Sequence, residues 1–365
     1  MPFRSRRRRF PRGNGLRVLP LAVALAACLS LVAGCVASEP TRTADGKYVI
    51  RYQGTTGQVT PFELADDLGY FSKLALRWEG DTTSGPANIQ AAATKQVEVG
   101  GAFNGAVAKL IGGGAKMTSV ISYYGADSEN FTGYYVRDDS NIRSARDLIG
   151  KKVAMNTLGA HHEFVTREWL HQQGLTDDEI SQVQLIVLPP ASTEDALRKG
   201  QIDAAAMGNV YRDTALERGG IHPLYTDKAL FGEFDYGTYL FRNDYIAKNR
   251  EAVADFVQGT ARAIRWMQVT PREQVRARFD AIIAERGRNE STRLTPYWLT
   301  SGIPVPGGVV EEREFQVWID WLVRNHKMKN GKVRAPDLFT NEFNPYANGT
   351  FAPSSGPTGE TVVAK

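Results

Sequence analysis

A chain of 365 residues, 42 % apolar and 23 % charged, has the length for two domains and the composition of an ordinary globular body. Its formal charge of +4 belongs to the N-terminus: residues 1–34 hold seven arginines and no acid, and removing those seven from the 44 basic residues leaves 37 against 40 acidic, a net of −3. A body built to bind nucleic acid is thereby excluded. Both cysteines, Cys28 and Cys35, lie in or beside the N-terminal apolar run, so the body has no disulfide and no thiolate metal site.

The chain opens with a basic segment, Arg4 to Arg17, followed by the apolar run Val18 to Val32, which has the length of a signal-peptide core and is short for a membrane span. It ends Leu31-Val32-Ala33-Gly34-Cys35. Small residues directly before a cysteine resemble the lipobox of bacterial lipoproteins, which implies cleavage after Gly34 and a lipid on the Cys35 thiol. Arg7-Arg8-Arg9-Phe10 can be read as a twin-arginine export signal, a weak match because four consecutive arginines make it easy, and the export route stays open. Residues 35–46 read as a polar tether.

The body then alternates strands and helices. Strands are expected at 48–53, 74–79, 117–124, 131–136, 152–155, 184–187, 223–225 and 237–241. Helices are expected at 61–68, 87–94, 105–112, 143–150, 161–172, 210–217, 249–268, 270–286, 295–299 and 311–326, and residues 352–365 read as a loose tail. Two stretches echo each other. Gln96-Val97-Glu98-Val99-Gly100-Gly101-Ala102-Phe103-Asn104 and Gln201-Ile202-Asp203-Ala204-Ala205-Ala206-Met207-Gly208-Asn209 both run from Gln through an acid and a small-residue strand to Asn. Each follows a helical segment. Runs of small and branched residues suit strands covered on both faces, and open α/β sheets bind ligands beyond the carboxyl ends of such strands. Two copies imply two similar lobes, with Asn104 and Asn209 facing one crevice.

Gly69-Tyr70-Phe71, Gln96 to Gly100, Ala145-Arg146-Asp147-Leu148-Ile149-Gly150-Lys151-Lys152-Val153-Ala154 and Ala196 to Ala205 together resemble the extracytoplasmic solute-binding proteins of ABC importers. The nearest group is the nitrate/sulfonate/taurine type, which shares its fold with pyrimidine-precursor-binding proteins. The resemblance implies an α/β, two-lobe periplasmic-binding-protein-like fold (type II), each lobe a mainly parallel sheet flanked by helices, with the ligand cleft between them. Its expected divisions are signal peptide 1–34, tether 35–46, first lobe 47–136, second lobe 137–236, and a return to the first lobe over 237–351. The implied function is capture of a small organic anion or zwitterion, a sulfonate-type compound first, for an ABC permease and its ATPase. The protein would be exported and held at the membrane by the lipid on Cys35. Nitrate, a pyrimidine or thiamine precursor, and an exported enzyme or sensor on the same fold are the alternatives.

The strand-end loops supply the expected ligand contacts: Thr55, Thr56, Ser84, Gly85, Asn104, Thr157, His161, Asn209 and Tyr236 offer hydroxyl, amide, imidazole or backbone donors. None of these loops contains Arg or Lys, so an oxyanion is expected to be held by neutral donors and helix N-termini. Glu163 and Asp213 are the candidate carboxylates for a zwitterion. Phe103, Tyr123, Tyr124, Tyr211 and Tyr236 are the rings available to a flat ligand. Neither a cofactor nor a metal is expected, and no catalytic set is: His162-Glu163-Phe164-Val165-Thr166 has Thr166 where a zinc-protease helix needs its second His, and Gly-x-Ser-x-Gly is absent.

Overall fold

The computed structural model describes residues 42–362; Cys35 and the arginine run lie outside them. Strand β1 (Tyr48–Gly54) pairs in parallel with β2 (Leu74–Asp81), and α1 (Pro61–Asp67) connects them. Helix α1 begins where Thr-Pro-Phe-Glu dictates. The Thr60 hydroxyl accepts from the Glu63 N–H, the Glu63 carboxylate accepts from the Thr60 N–H, and Pro61 takes the position where a missing N–H costs nothing. Helix α2 (Gly85–Ala93), β3 (Val99–Phe103), α3 (Asn104–Gly112) and β4 (Met117–Ala126) follow.

The chain then enters a third sheet with β5 (Thr132–Arg137), β6 (Lys152–Met155), α4 (His161–Gln172), α5 (Asp177–Ser181), β7 (Gln184–Val187), α6 (Pro190–Arg198), β8 (Ala204–Gly208), α7 (Asn209–Glu217), β9 (Ile221–Thr226) and α8 (Asp227–Phe231). It returns through β10 (Phe234–Arg242) and ends in α9 (Asn243–Lys248), α10 (Arg250–Val269), α11 (Arg272–Glu285) and α12 (Arg313–Arg324). Three sheets result, with strand orders β1-β2, β3-β10-β4 and β7-β6-β8-β5-β9. Strand directions are mixed. The pairs β1–β2, β6–β7 and β6–β8 are parallel, whereas β5 and β10, the strands on which the chain enters one sheet and re-enters the other, run antiparallel to their neighbours.

The sequence echo is a structural repeat. Helix α2, strand β3 and helix α3 recur as α6, β8 and α7, with every boundary moved by 105 positions, Gly85 to Pro190 through Gly112 to Glu217. The turn before each strand has a left-handed residue at the same place, Lys95 (φ 68°) and Gly200 (φ 68°). Both strands are buried runs of small residues, which lets the flanking helices approach closely: a Cβ on Gly100 would lie 2.9 Å from the Asn88 carbonyl oxygen in α2.

The last helices pack on the first sheets. Ala252, Val253, Phe256, Val257, Ala261, Ile264 and Met267 make one apolar stripe of α10, buried with Phe62, Tyr239 and Phe241. In α12, Phe315, Trp318, Ile319, Trp321 and Leu322 form a second stripe, over Phe103 and Phe164.

Two expected helices shrink to single 3₁₀ turns, Arg146–Leu148 and Thr295–Tyr297. In the first, the Asp147 carboxylate takes the N–H groups of Arg143 and Ser144 and Gly150 turns left-handed, so no second turn can form. The short helices α5 and α8 were not expected. Residues 352–362 are not loose: the Arg262 and Arg265 side chains of α10 donate to the carbonyls of Pro357 and Ser355, and the Tyr346 hydroxyl donates to that of Gly356.

Candidate functional site

A cleft of about 430 Å³ lies where the ends of both repeats meet. One wall comes from the loops after β1 and β2, with Thr55, Ser84 and Gly85; the other from the loops after β6 and β8, with Asn156, Thr157, His161 and Asn209. Residues between α11 and α12 cover it, among them Tyr297, Trp298, Thr300 and Ser301. The walls touch directly. The Ser84 and Thr157 hydroxyls are 3.2 Å apart, and the Asn156 amide donates to the Thr83 carbonyl at 3.1 Å. Tyr297 adds a third bridge by donating to the Glu217 carboxylate of α7 at 2.6 Å. These contacts bridge the two walls.

Of the nine expected contacts, seven line the cleft: Thr55, Ser84, Gly85, Thr157, His161, Asn209 and Tyr236. The Thr55 hydroxyl donates to the Thr82 carbonyl, Ser84 caps α2 by accepting from the Ala87 N–H, and Asn209 adopts φ 49° as α7 begins. Two do not line it. Thr56 is exposed and donates to the Asp81 carboxylate beside the mouth. Asn104 is fully buried away from the cleft: its amide donates to the Glu314 carbonyl and its oxygen accepts from the Thr238 hydroxyl. The symmetric placement of Asn104 and Asn209 is therefore corrected. Helix α12 covers the first repeat end and converts its Asn into an internal strut.

The deepest wall is aromatic. His161 stacks on Tyr236 at 4.0 Å between ring centroids and meets Phe103 edge-on at 5.3 Å, while Tyr123 stacks on Tyr239 at 3.9 Å. The His161 Nε2 lies 2.9 Å from the carboxylate of Asp227, which is fully buried and also accepts the N–H groups of Thr132 and Lys228. Burial, helped by neighbouring His161, pushes the His162 imidazole down to about 3, so it is neutral near pH 7. Burial, with the Asp227 charge behind it, raises the Tyr236 hydroxyl well above the ordinary tyrosine range. Three polar atoms of lining residues are buried without a partner among the described residues: His161 Nδ1, His162 Nδ1 and the Tyr239 hydroxyl. Tyr239 and His162 were not among the expected contacts. A Tyr in an alternating strand reads as core, and only the register of β10 places its ring at the cleft.

Among the described residues, the lining contains no Arg or Lys and one carboxylate, Asp213, which accepts from Arg212 at 2.6 Å. Glu163, the other candidate carboxylate, folds back on its own helix, accepting from the Gly159 N–H and from Arg167. Helices α4 and α7 both start at the cleft without a side-chain cap, leaving first-turn N–H groups for another acceptor. No group of three or more His, Cys, Asp or Glu able to hold a metal occurs among the described residues.

A two-lobed α/β body with a cleft between the strand ends is the periplasmic-binding-protein fold. The structure matches the periplasmic aliphatic sulphonate binding protein SsuA of Escherichia coli with a TM-score of 0.61 at 20 % identity, covering 80 % of this chain and 92 % of that one. It matches the periplasmic nitrate-binding protein NrtA of Synechocystis with a TM-score of 0.64 at 12 % identity, covering 85 % and 91 %. Residues 56–274 match the NMT1/THI5 like family, and the chain belongs to it. In sequence it is 33 % identical over 126 residues to a putative aliphatic sulfonates-binding protein of Escherichia coli, a match spanning 34 % of this chain and 36 % of the relative.

Proposed function

We propose that this protein is the extracytoplasmic solute-binding component of an ABC importer and captures a small sulfonate-type organic anion or zwitterion. The observation that carries the reading is the cleft itself: it lies between the two lobes, two uncapped helix N-termini open into it, and among the described residues no Arg or Lys lines it. Helix N-termini favour a monoanion spread over several oxygens, without a full counter-charge. A volume of about 430 Å³ falls in the range of pockets that enclose organic molecules, which favours an organic acid over nitrate. The sulfonate-binding names of two relatives point the same way.

The mechanism is a population shift. A ligand touching both walls interacts with the closed form more than with the open one, and only that difference drives closure. A permease with its ATPase then distinguishes closed from open. Export with a lipid on Cys35 keeps the body beside that permease, with residues 1–34 removed as the signal peptide. The test is thermal unfolding of the detergent-purified full chain with sulfonates, nitrate and pyrimidines. A sulfonate at 100 times its Kd adds about 2.7 kcal/mol. Stabilisation by nitrate or a pyrimidine alone reassigns the ligand, and loss of sulfonate uptake on deleting the gene checks the transport role.

A further inference from the structure

We propose that the anion captured here is an arenesulfonate: a wall of tyrosine rings takes a flat aromatic body, and the cleft prefers that body to a saturated one of the same size and charge. The inference rests on the sulfonate reading above and adds what the sulfonate is attached to.

Regular strand geometry gives way to make the wall. Tyr124 of β4 pairs with Gly237 of β10 and Ser122 pairs with Thr238, which leaves Tyr123 as an extra residue in β4. Gly125 pairs with Asp235, which leaves Tyr236 as an extra residue in β10. Each bulge breaks the alternation of faces along its strand. Adjacent residues of a regular strand point to opposite faces, yet Tyr123 and Tyr124 both line the cleft, and both are only half-buried. Two glycines make room for the rings. A Cβ on Gly101 of β3 would lie 2.8 Å from the Tyr239 ring and 2.9 Å from that of Tyr123, and a Cβ on Gly237 would overlap the ring of Tyr124.

The rings form a continuous run. Tyr123 meets Tyr124 at 4.6 Å between centroids, and Tyr124 meets Tyr236 edge-on at 4.9 Å. Tyr236 in turn stacks on His161, the first residue of α4, so the run reaches the start of one uncapped helix. Tyr211, in the first turn of α7, brings a half-buried ring to the start of the other. The covering segment adds Tyr297 and Trp298, both half-buried, and Phe279 of α11 braces Trp298 edge-on at 5.5 Å. Rings needed only for the core would be enclosed like Phe103, whereas these half-buried rings, from a strand, a helix start and the covering segment, border one cleft. A tyrosine face repels an anion and attracts the edge or the electron-depleted face of another ring. The sulfonate is thus left to the helix starts and the arene to the wall. An alkyl group fills the same space but gains none of the ring–ring attraction.

The test measures, by titration calorimetry on the detergent-purified full chain in sulfonate-free buffer, the Kd of benzenesulfonate and of cyclohexanesulfonate, its saturated counterpart. Benzenesulfonate should bind about tenfold more tightly. Tyr124→Leu should shrink the ratio of the two Kd values to about threefold or less, and Tyr124→Phe, which keeps the ring, should restore it. If Tyr124→Leu does not fold, Tyr211→Leu, on a helix start outside the sheet, should shrink the ratio in the same direction. A ratio near one in the wild type overturns the proposal and leaves the sulfonate reading intact. So does an undiminished ratio in folded Tyr124→Leu and Tyr211→Leu variants. Binding of neither sulfonate overturns both.

Discussion

Asp235 and Glu314 form a buried carboxyl pair whose effect on stability has a calculable sign. Asp235 opens β10, where the chain re-enters the first sheets, and Glu314 lies in the first turn of α12; both are fully buried. Glu314 accepts from the N–H groups of Asp235 and Glu311, whereas neither Asp235 carboxylate oxygen has a partner among the described residues. Burial pushes Glu314 up to about 8, against the pull of those two N–H bonds, and Glu311 adds repulsion. Burial, then the charge of Glu314, raises Asp235 well above the usual carboxylate range. A carboxyl raised in the folded state holds its proton there after the unfolded chain has released it. The folded form then binds more protons than the unfolded, so stability falls as pH rises. For Glu314 the window opens near the ordinary 4.5 and closes near 8. Inside it one proton gives a slope of about 1.4 kcal/mol per pH unit, and the full window amounts to a ceiling of about 5 kcal/mol.

Glu314→Gln removes the titration and keeps the side-chain shape. It loses one acceptor, because the oxygen taking the Glu311 N–H or the one taking the Asp235 N–H becomes an amide nitrogen, at a cost of about 1 kcal/mol. The variant should be less stable than the wild type at pH 5 and more stable at pH 8.5. At about 2–4 °C per kcal/mol for a body of this size, the two curves of Tm against pH should cross. The assay is thermal unfolding followed by circular dichroism at fixed ionic strength, read as the difference between the chains so that titrations not linked to Glu314 cancel; that of Asp235 does not, because it feels the Glu314 charge. Parallel curves, offset by the same amount at every pH, would refute the buried-proton reasoning.

Three further outcomes follow from the same contacts. Asn104→Ala should lower stability by about 1–3 kcal/mol, because it removes two buried hydrogen bonds, from the Thr238 hydroxyl, which keeps Ser119 as a partner, and to the Glu314 carbonyl, and should leave the benzenesulfonate Kd unchanged; a tenfold weaker Kd in a folded variant returns Asn104 to the site. Ser84→Ala and Thr157→Ala each remove one side of a bridge between the lobes, and a double-mutant cycle on Kd should give a coupling of about 0.5–1.5 kcal/mol; additive losses would mean the bridge does not favour closure. Gly259→Ala in α10 should destabilise by about 1–3 kcal/mol, since the new Cβ would sit 2.5 Å from the Phe71 ring, and an unchanged Tm would show that Phe71 can swing aside.

What was legible in the sequence was local, and what was not was set at long range. The boundaries of α4 and β7 follow from apolar spacing and from the prolines that end β7, and Pro61 marks the first turn of α1. The repeat was legible because both copies use the same device, small residues that let two helices close on a buried strand. Its two asparagines then part company for a reason no window of the chain contains. Asn104 is bonded to a helix 210 positions away, whereas Asn209 lines the cleft in a left-handed start to its helix. The same holds for the site's electrostatics. Reading the loops finds the absence of Arg and Lys, but Asp227 reaches His161 only because α8, itself unexpected, begins beside the N-terminus of α4. A cleft built on a duplicated scaffold is thus made asymmetric by elements added outside the duplication. That asymmetry leaves one wall with an ionisable pair and gives the other hydroxyls, backbone and the Gln53 and Asn88 amides, so the two lobes contribute different chemistry to one ligand.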